Sequence, residues 1–145
     1  MNADNMRKLL YLIYIGVAAA MCTACESKWD ENGDLDGMWQ LTEWRDRASG
    51  AVVKTNADSV YYCVQLKLIK FQNMAQTSYY LCYFTQTSDS LVIGKVTTWP
   101  ANEEKTFAEL APYGVPANGR FHIDALSKKR MRLSSNAAFL TFRKY

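Results

Sequence analysis

A single histidine occurs in this 145-residue chain, and its neighbours invite a catalytic reading. His122 lies between Phe121 and Ile123, with Asp124 two positions on. On a strand, that spacing puts His122 and Asp124 on one face and Phe121 and Ile123 on the other. An acid beside an imidazole is two parts of a nucleophilic triad; the third is a serine whose hydroxyl meets the ring. No nucleophile elbow or oxyanion turn accompanies the pair, so it reads as a solvent-facing polar row.

Paired carboxylates are the next chemistry to weigh: Asp30-Glu31, Asp34 with Asp36, and Glu103-Glu104. Glycoside hydrolysis needs two such groups about 5–10 Å apart across a cleft. The first two sets fall in a polar leader segment. The third opens an expected helix, where acids simply suit the dipole. The chain carries no glycine-rich phosphate loop and no calcium loop. It also has no CxxC and no Cys/His cluster with zinc spacing, so no metal or cofactor is expected. No catalytic residue is assigned, and the chain is read as a non-enzyme.

Cysteine is where the sequence does point to chemistry. Arg7 and Lys8 precede an uncharged apolar run from Leu9 to Met21, followed by Cys22-Thr23-Ala24-Cys25. The run is shorter than the about 20 apolar residues a bilayer requires, and its charged, apolar, small order is that of a cleaved signal. Cys25 is the expected lipidation site, because cleavage before it exposes a cysteine whose thiol carries diacylglycerol. Cys22 fits less well, since it follows the bulky Met21. Residues 1–24 are thus expected to be a lipoprotein signal peptide and 25–36 a lipidated, flexible tether. The implied location is the cell envelope, anchored by lipid, with the outer membrane as the expected site. Acids close behind Cys25 resemble an export signal of some Bacteroidota lipoproteins, though Ser27, Lys28 and Trp29 interrupt them.

The net charge of +3 argues against a nucleic-acid partner, which calls for a strong basic excess on one face. Lys128, Lys129 and Arg130, with Arg132 beyond them, read as a solvated hairpin turn. The expected partners are the membrane, through the anchor, and a small-molecule ligand or protein.

From Leu35 onward strand signals dominate. Val60, Tyr62, Val64, Leu66 and Leu68 alternate against Gln65 and Lys67, the period of a half-buried strand. Further strands are expected at Trp39–Asp46, Ala51–Thr55, Tyr79–Thr85, Leu91–Val96, Phe121–Leu126, Arg130–Ser134 and Phe139–Tyr145. About eight short antiparallel strands suit an all-β, up-and-down barrel. One helix is expected over Asn102–Ala111, capped by Asn102 and stopped by Pro112.

Cys63 and Cys82 remain for the folded domain, and export places them where a disulfide can persist. A two-residue turn at Gln72-Asn73 would set them opposite one another. A longer turn through Ala75 and Gln76 would separate them.

Gly37-Met38-Trp39, after Leu35-Asp36, resembles the Gly-x-Trp that opens the first strand of lipocalins. With the lipidated cysteine and a final pair of strands, residues 37–145 resemble the lipocalin-like lipoproteins of Bacteroidota. The resemblance implies that Gly37 brings the strand close to the barrel floor and that Trp39 plugs it. It further implies that Arg143 covers Trp39 by a cation–π contact, although Arg143 can equally face solvent. Two features depart from a typical lipocalin: the helix precedes the last three strands, and no Thr-Asp-Tyr loop motif occurs. A barrel of eight strands is either packed solid or holds one small ligand. Tyr62, Val64, Leu66, Leu68, Phe121 and Ile123 are the candidate cavity lining. The expected function is binding of a small apolar or aromatic ligand there. The alternative is a protein-interaction module, an envelope inhibitor or accessory subunit using exposed tyrosines and loops.

Overall fold

The computed structural model describes residues 2–22, 31–55 and 59–145. A helix, α1 (Ala3–Cys22), spans the expected signal region. No helix among the described residues is long and apolar enough to cross a membrane. The expected cleavage point and lipidation site at Cys25 lie outside the described residues, as does Asp30.

The strands are β1 (Gly37–Asp46), β2 (Val52–Thr55), β3 (Val60–Gln65), β4 (Leu68–Asn73), β5 (Tyr79–Gln86), β6 (Ser90–Trp99), β7 (Glu104–Lys105), β8 (Arg120–Leu126), β9 (Arg130–Ser134) and β10 (Ala138–Lys144). Eight of them, β1–β3–β4–β5–β6–β8–β9–β10, follow one another as antiparallel neighbours, and β10 pairs back onto β1. This closes an up-and-down antiparallel barrel and removes its sheet edges. β2 adds to the far half of β1, and β7 to the far half of β6.

The expected number of barrel strands is right, but the membership differs. Val60 to Leu68 is not one strand. It stops at Gln65, turns through Leu66-Lys67, and returns as β4, with Gln65 opposite Leu68. Leu66 takes a positive φ of 55° in this turn. Neither residue is a favoured turn former, and the apolar alternation runs straight through them, so the turn left no local signal. The expected strand at Ala51–Thr55 is instead the short β2, outside the barrel circuit.

The interior is built by alternation. Val60, Tyr62 and Val64 from β3, Ile69 and Phe71 from β4, and Cys82 and Phe84 from β5 form one side of a continuous core. Phe121 and Ile123, Met131 and Leu133, and Leu140 and Phe142 form the other. Tyr62 packs against Phe71 and Phe142, each ring centroid 4.6 Å away.

Both ends are closed. Where the chain enters the barrel, Leu35 and Trp39 are fully buried, and the Trp39 indole donates to the Leu35 carbonyl at 2.7 Å. The expected flexible tether therefore ends before residue 36. Asn32 donates to both carboxylate oxygens of Asp36 and to the Leu66 carbonyl, and Gly33–Leu35 forms a 3₁₀ turn against the barrel floor. At the far end, the expected Asn102–Ala111 helix is displaced. Asn102 has φ +54°, β7 occupies Glu104–Lys105, and a 3₁₀ helix covers Phe107–Tyr113. Leu110 and Tyr113 from that helix plug the barrel, and the Tyr62 hydroxyl donates to the Tyr113 carbonyl at 2.7 Å.

Candidate binding surfaces

The residues expected to line a cavity separate into two groups. Tyr62, Val64, Phe121 and Ile123 point inward, but they are packed core and not walls around a space. Leu66 and Leu68 are not inside at all. The Leu66-Lys67 turn reverses the pattern, so Ile69 and Phe71 face the core while Leu68 and Lys70 face out. No buried side-chain nitrogen or oxygen among the described residues lacks a partner.

Leu66 and Leu68 instead border a groove of about 530 Å³ on the outside of the barrel, with Asp36, Cys63, Lys70 and Leu81. Cross-strand register explains its composition. Met38, Cys63, Lys70, Leu81 and Thr97 form one outward row across β1, β3, β4, β5 and β6. The next row brings Gln65, Leu68 and Tyr83 together. On the other side of the first row Tyr79 and Trp99 pair with rings inclined by only 19° and centroids 6.4 Å apart, and the Lys70 ammonium lies 4.9 Å from the Tyr79 centroid. Tyr83 and Trp99 are 60% and 51% exposed. The solvated face of an antiparallel sheet is ordinarily polar, so an outward surface of this kind is unusual.

Cys63 and Cys82 are both free thiols. The expected disulfide is excluded by topology. β4 lies between their strands, Cys63 pairing with Lys70 and Cys82 with Ile69. Their side chains also point to opposite faces of the sheet, Cys63 outward and Cys82 into the core. Burial pushes the Cys82 thiol up to about 12. It raises the Cys63 thiol as well, against the opposing charge of Lys70.

Gly37 opens β1 with φ +120°, as the Gly-x-Trp resemblance implies for a close approach. Arg143, however, does not cover Trp39. Phe142 faces inward, so strand alternation turns Arg143 outward, where its Nε donates to Gln40 Oε1 at 2.8 Å. The next residue, Lys144, takes the position over the indole.

His122, Asp124 and a serine do meet, in a different order from a triad. Asp124 Oδ1 lies 2.8 Å from His122 Nδ1 and accepts the Ser134 hydroxyl at 2.9 Å. The serine therefore bonds to the acid and not to the imidazole, so the Ser–His contact that defines a triad is not made. Sequence reasoning placed the His122–Asp124 pair but not Ser134, which reaches it through the β8–β9 register. Four of the other candidate carboxylates are engaged elsewhere: Asp36 accepts from Asn32, and Glu31, Glu103 and Glu104 pair with Lys67, Lys105 and Lys95. Among the described residues, no group of three His, Cys, Asp or Glu side chains is placed to hold a metal.

A family model described as a lipocalin-like domain matches residues 20–145. No curated protein matches the chain. Among solved structures, the chain is similar to a lipocalin-like protein from Bacteroides uniformis, at 22% identity and a TM-score of 0.59, covering 78% of this chain and 100% of that one. It is also similar to an uncharacterized protein from Bacteroides eggerthii, at 26% identity and a TM-score of 0.52, covering 76% of this chain and 98% of that one. A protein from Burkholderia xenovorans matches at 13% identity and a TM-score of 0.53, over 76% of this chain and 82% of its own.

Proposed function

The chain belongs to the lipocalin-like domain family, and on that premise we propose that it is a non-enzymatic binding module of the cell envelope. Lipid on Cys25 holds it at the outer membrane, and it engages a protein partner through the outer β3–β6 face. One contrast carries this reading: the barrel interior is filled, whereas the outside bears an apolar groove edged by exposed aromatics. We place the site outside because Trp39, Tyr62, Phe71 and Phe142 already occupy the volume that an apolar ligand in the barrel would need.

The chemistry of the face suggests its partner. Tyrosine and tryptophan are enriched at the cores of protein interfaces, where they bury large area at small entropic cost. Lys70 stands in the groove with no ion pair among the described residues. A complementary partner therefore inserts an apolar side chain between Cys63, Leu68 and Leu81 and brings a carboxylate to Lys70.

Native mass spectrometry of the lipoprotein extracted from its own membranes tests the proposal. Wild type should retain a protein partner at fixed stoichiometry. Trp99→Ala, Tyr83→Ala and Lys70→Glu should each lose it, while Arg132→Ala, on β9, should keep it. A retained small molecule without protein, a homodimer, or a complex indifferent to all three changes would overturn it.

A further inference from the structure

We infer that a second groove, on β8 and β9 and away from the docking face, is a binding site for small oxyanions, carboxylate or phosphate. It measures about 380 Å³ and is lined by Arg47, Ser90, Arg120, His122, Ser135 and Asn136.

Arg47 is fixed on three sides. Its backbone N–H donates to the Ala137 carbonyl at 2.9 Å, its Nε donates to the Ser135 carbonyl at 2.7 Å, and its guanidinium carbon lies 4.4 Å from the Phe139 ring centroid. These contacts orient the side chain but neutralise none of its charge. Among the described residues neither Arg47 nor Arg120 has a carboxylate within ion-pair distance. Both arginines line one depression, so an oxyanion seated there meets two positive charges.

The nearby acids are already committed. Asp124 is held by His122 and Ser134, and Asp89 accepts from the Thr87 and Ser90 hydroxyls. Those two hydroxyl bonds hold the Asp89 carboxyl below its usual range, which keeps it charged and engaged there. Donors remain for a ligand. The Ser135 Oγ accepts from the Ala137 and Ala138 N–H groups, so its own proton points elsewhere. A fixed guanidinium offers two parallel N–H groups to one oxyanion, which is the geometry that makes such contacts strong.

The test titrates the full chain separately with inorganic phosphate and with acetate, following backbone amide resonances. Saturable shifts confined to Ser90, Arg120, His122, Ser135 and Asn136 are expected with at least one probe. Saturation by phosphate alone would identify a phosphoryl source, and saturation by both a general oxyanion site. Arg47→Lys keeps the charge but loses the fork, so affinity should fall roughly tenfold. Arg120→Gln removes no contact that supports the fold and should weaken binding to a similar degree. Non-saturable shifts with both probes, or wild-type affinity in Arg120→Gln, would overturn the inference.

Discussion

Lys144 places its ammonium 4.7 Å from the centroid of the Trp39 ring and donates to the carbonyls of Asp34 and Asp36 at 2.9 and 2.7 Å. One side chain thus caps the plugging indole and ties down the segment that leads into the barrel. The Trp39 Nε1–H bond to Leu35 completes the closure.

From this arrangement, Trp39→Ala should cost about 3–5 kcal/mol, as for a fully buried large aromatic. Lys144→Ala should cost about 1 kcal/mol or more, since it removes a cation–π contact and two charge-assisted hydrogen bonds. Arg143→Ala should cost less than Lys144→Ala, because the Arg143 side chain is exposed. Urea unfolding of the three variants orders them directly, and an Arg143→Ala loss exceeding that of Lys144→Ala would reverse the assignment.

The two thiols should behave differently. Under native conditions an alkylating reagent should modify Cys63 and leave Cys82 untouched until the barrel unfolds, as read by mass spectrometry without reduction. Cys82 also predicts a pH dependence. Its folded pKa of about 12 stands above the ordinary thiol value of 9.0, so between those values the unfolded state loses the proton that the folded state keeps. Its contribution is fully present below pH 9 and declines as pH rises toward 12, with a limiting slope of about 1.4 kcal/mol per pH unit. Cys82→Ala should flatten that decline, and an unchanged alkaline slope would speak against it.

Tyr62→Phe should leave packing intact but strip the Tyr113 carbonyl of its buried donor. The expected loss is about 1–3 kcal/mol. Equal stability of the two proteins in urea would mean that the far-end plug does not depend on this bond.

Gly119 tests the seat of the 3₁₀ segment. Its φ is +65°, and an added Cβ would lie 2.7 Å from the Phe107 ring and 3.1 Å from the Ile93 carbonyl oxygen. Gly119→Ala should therefore destabilise by more than about 1 kcal/mol, combining backbone strain with a clash. A neutral result would show that both neighbours yield.

Lipidation is tested at Cys25 itself. Cys25→Ser should abolish incorporation of labelled palmitate and leave an uncleaved precursor. Labelling lost in Cys22→Ser but kept in Cys25→Ser would move the anchor to the earlier cysteine.

What the sequence determined by itself is local. Alternation in Phe121–Leu126 and Arg130–Ser134 specified strands and their buried faces, because side chains on a strand alternate whatever the strand pairs with. Gly37-Met38-Trp39 marked the first strand through its resemblance to the lipocalin Gly-x-Trp, and His122 and Asp124 emerged on one face as their spacing required. What the tertiary structure decided depends on which strands become neighbours. A two-residue turn at Leu66-Lys67 carried no turn-forming side chain, yet it inserted β4 and put Leu68 outside. That insertion also set Cys63 and Cys82 two strands apart and on opposite faces. The closure of β10 onto β1 aligned Trp39 with Lys144, more than a hundred residues away, and so selected lysine over arginine for the cap. Filling of the barrel was likewise beyond local pattern, since inward residues look the same in sequence whether they line a space or meet at its centre. The β3–β4 ladder already sets Tyr62 opposite Phe71, whereas only the closure of β10 onto β1 brought Phe142 against Tyr62 and so filled the space between them.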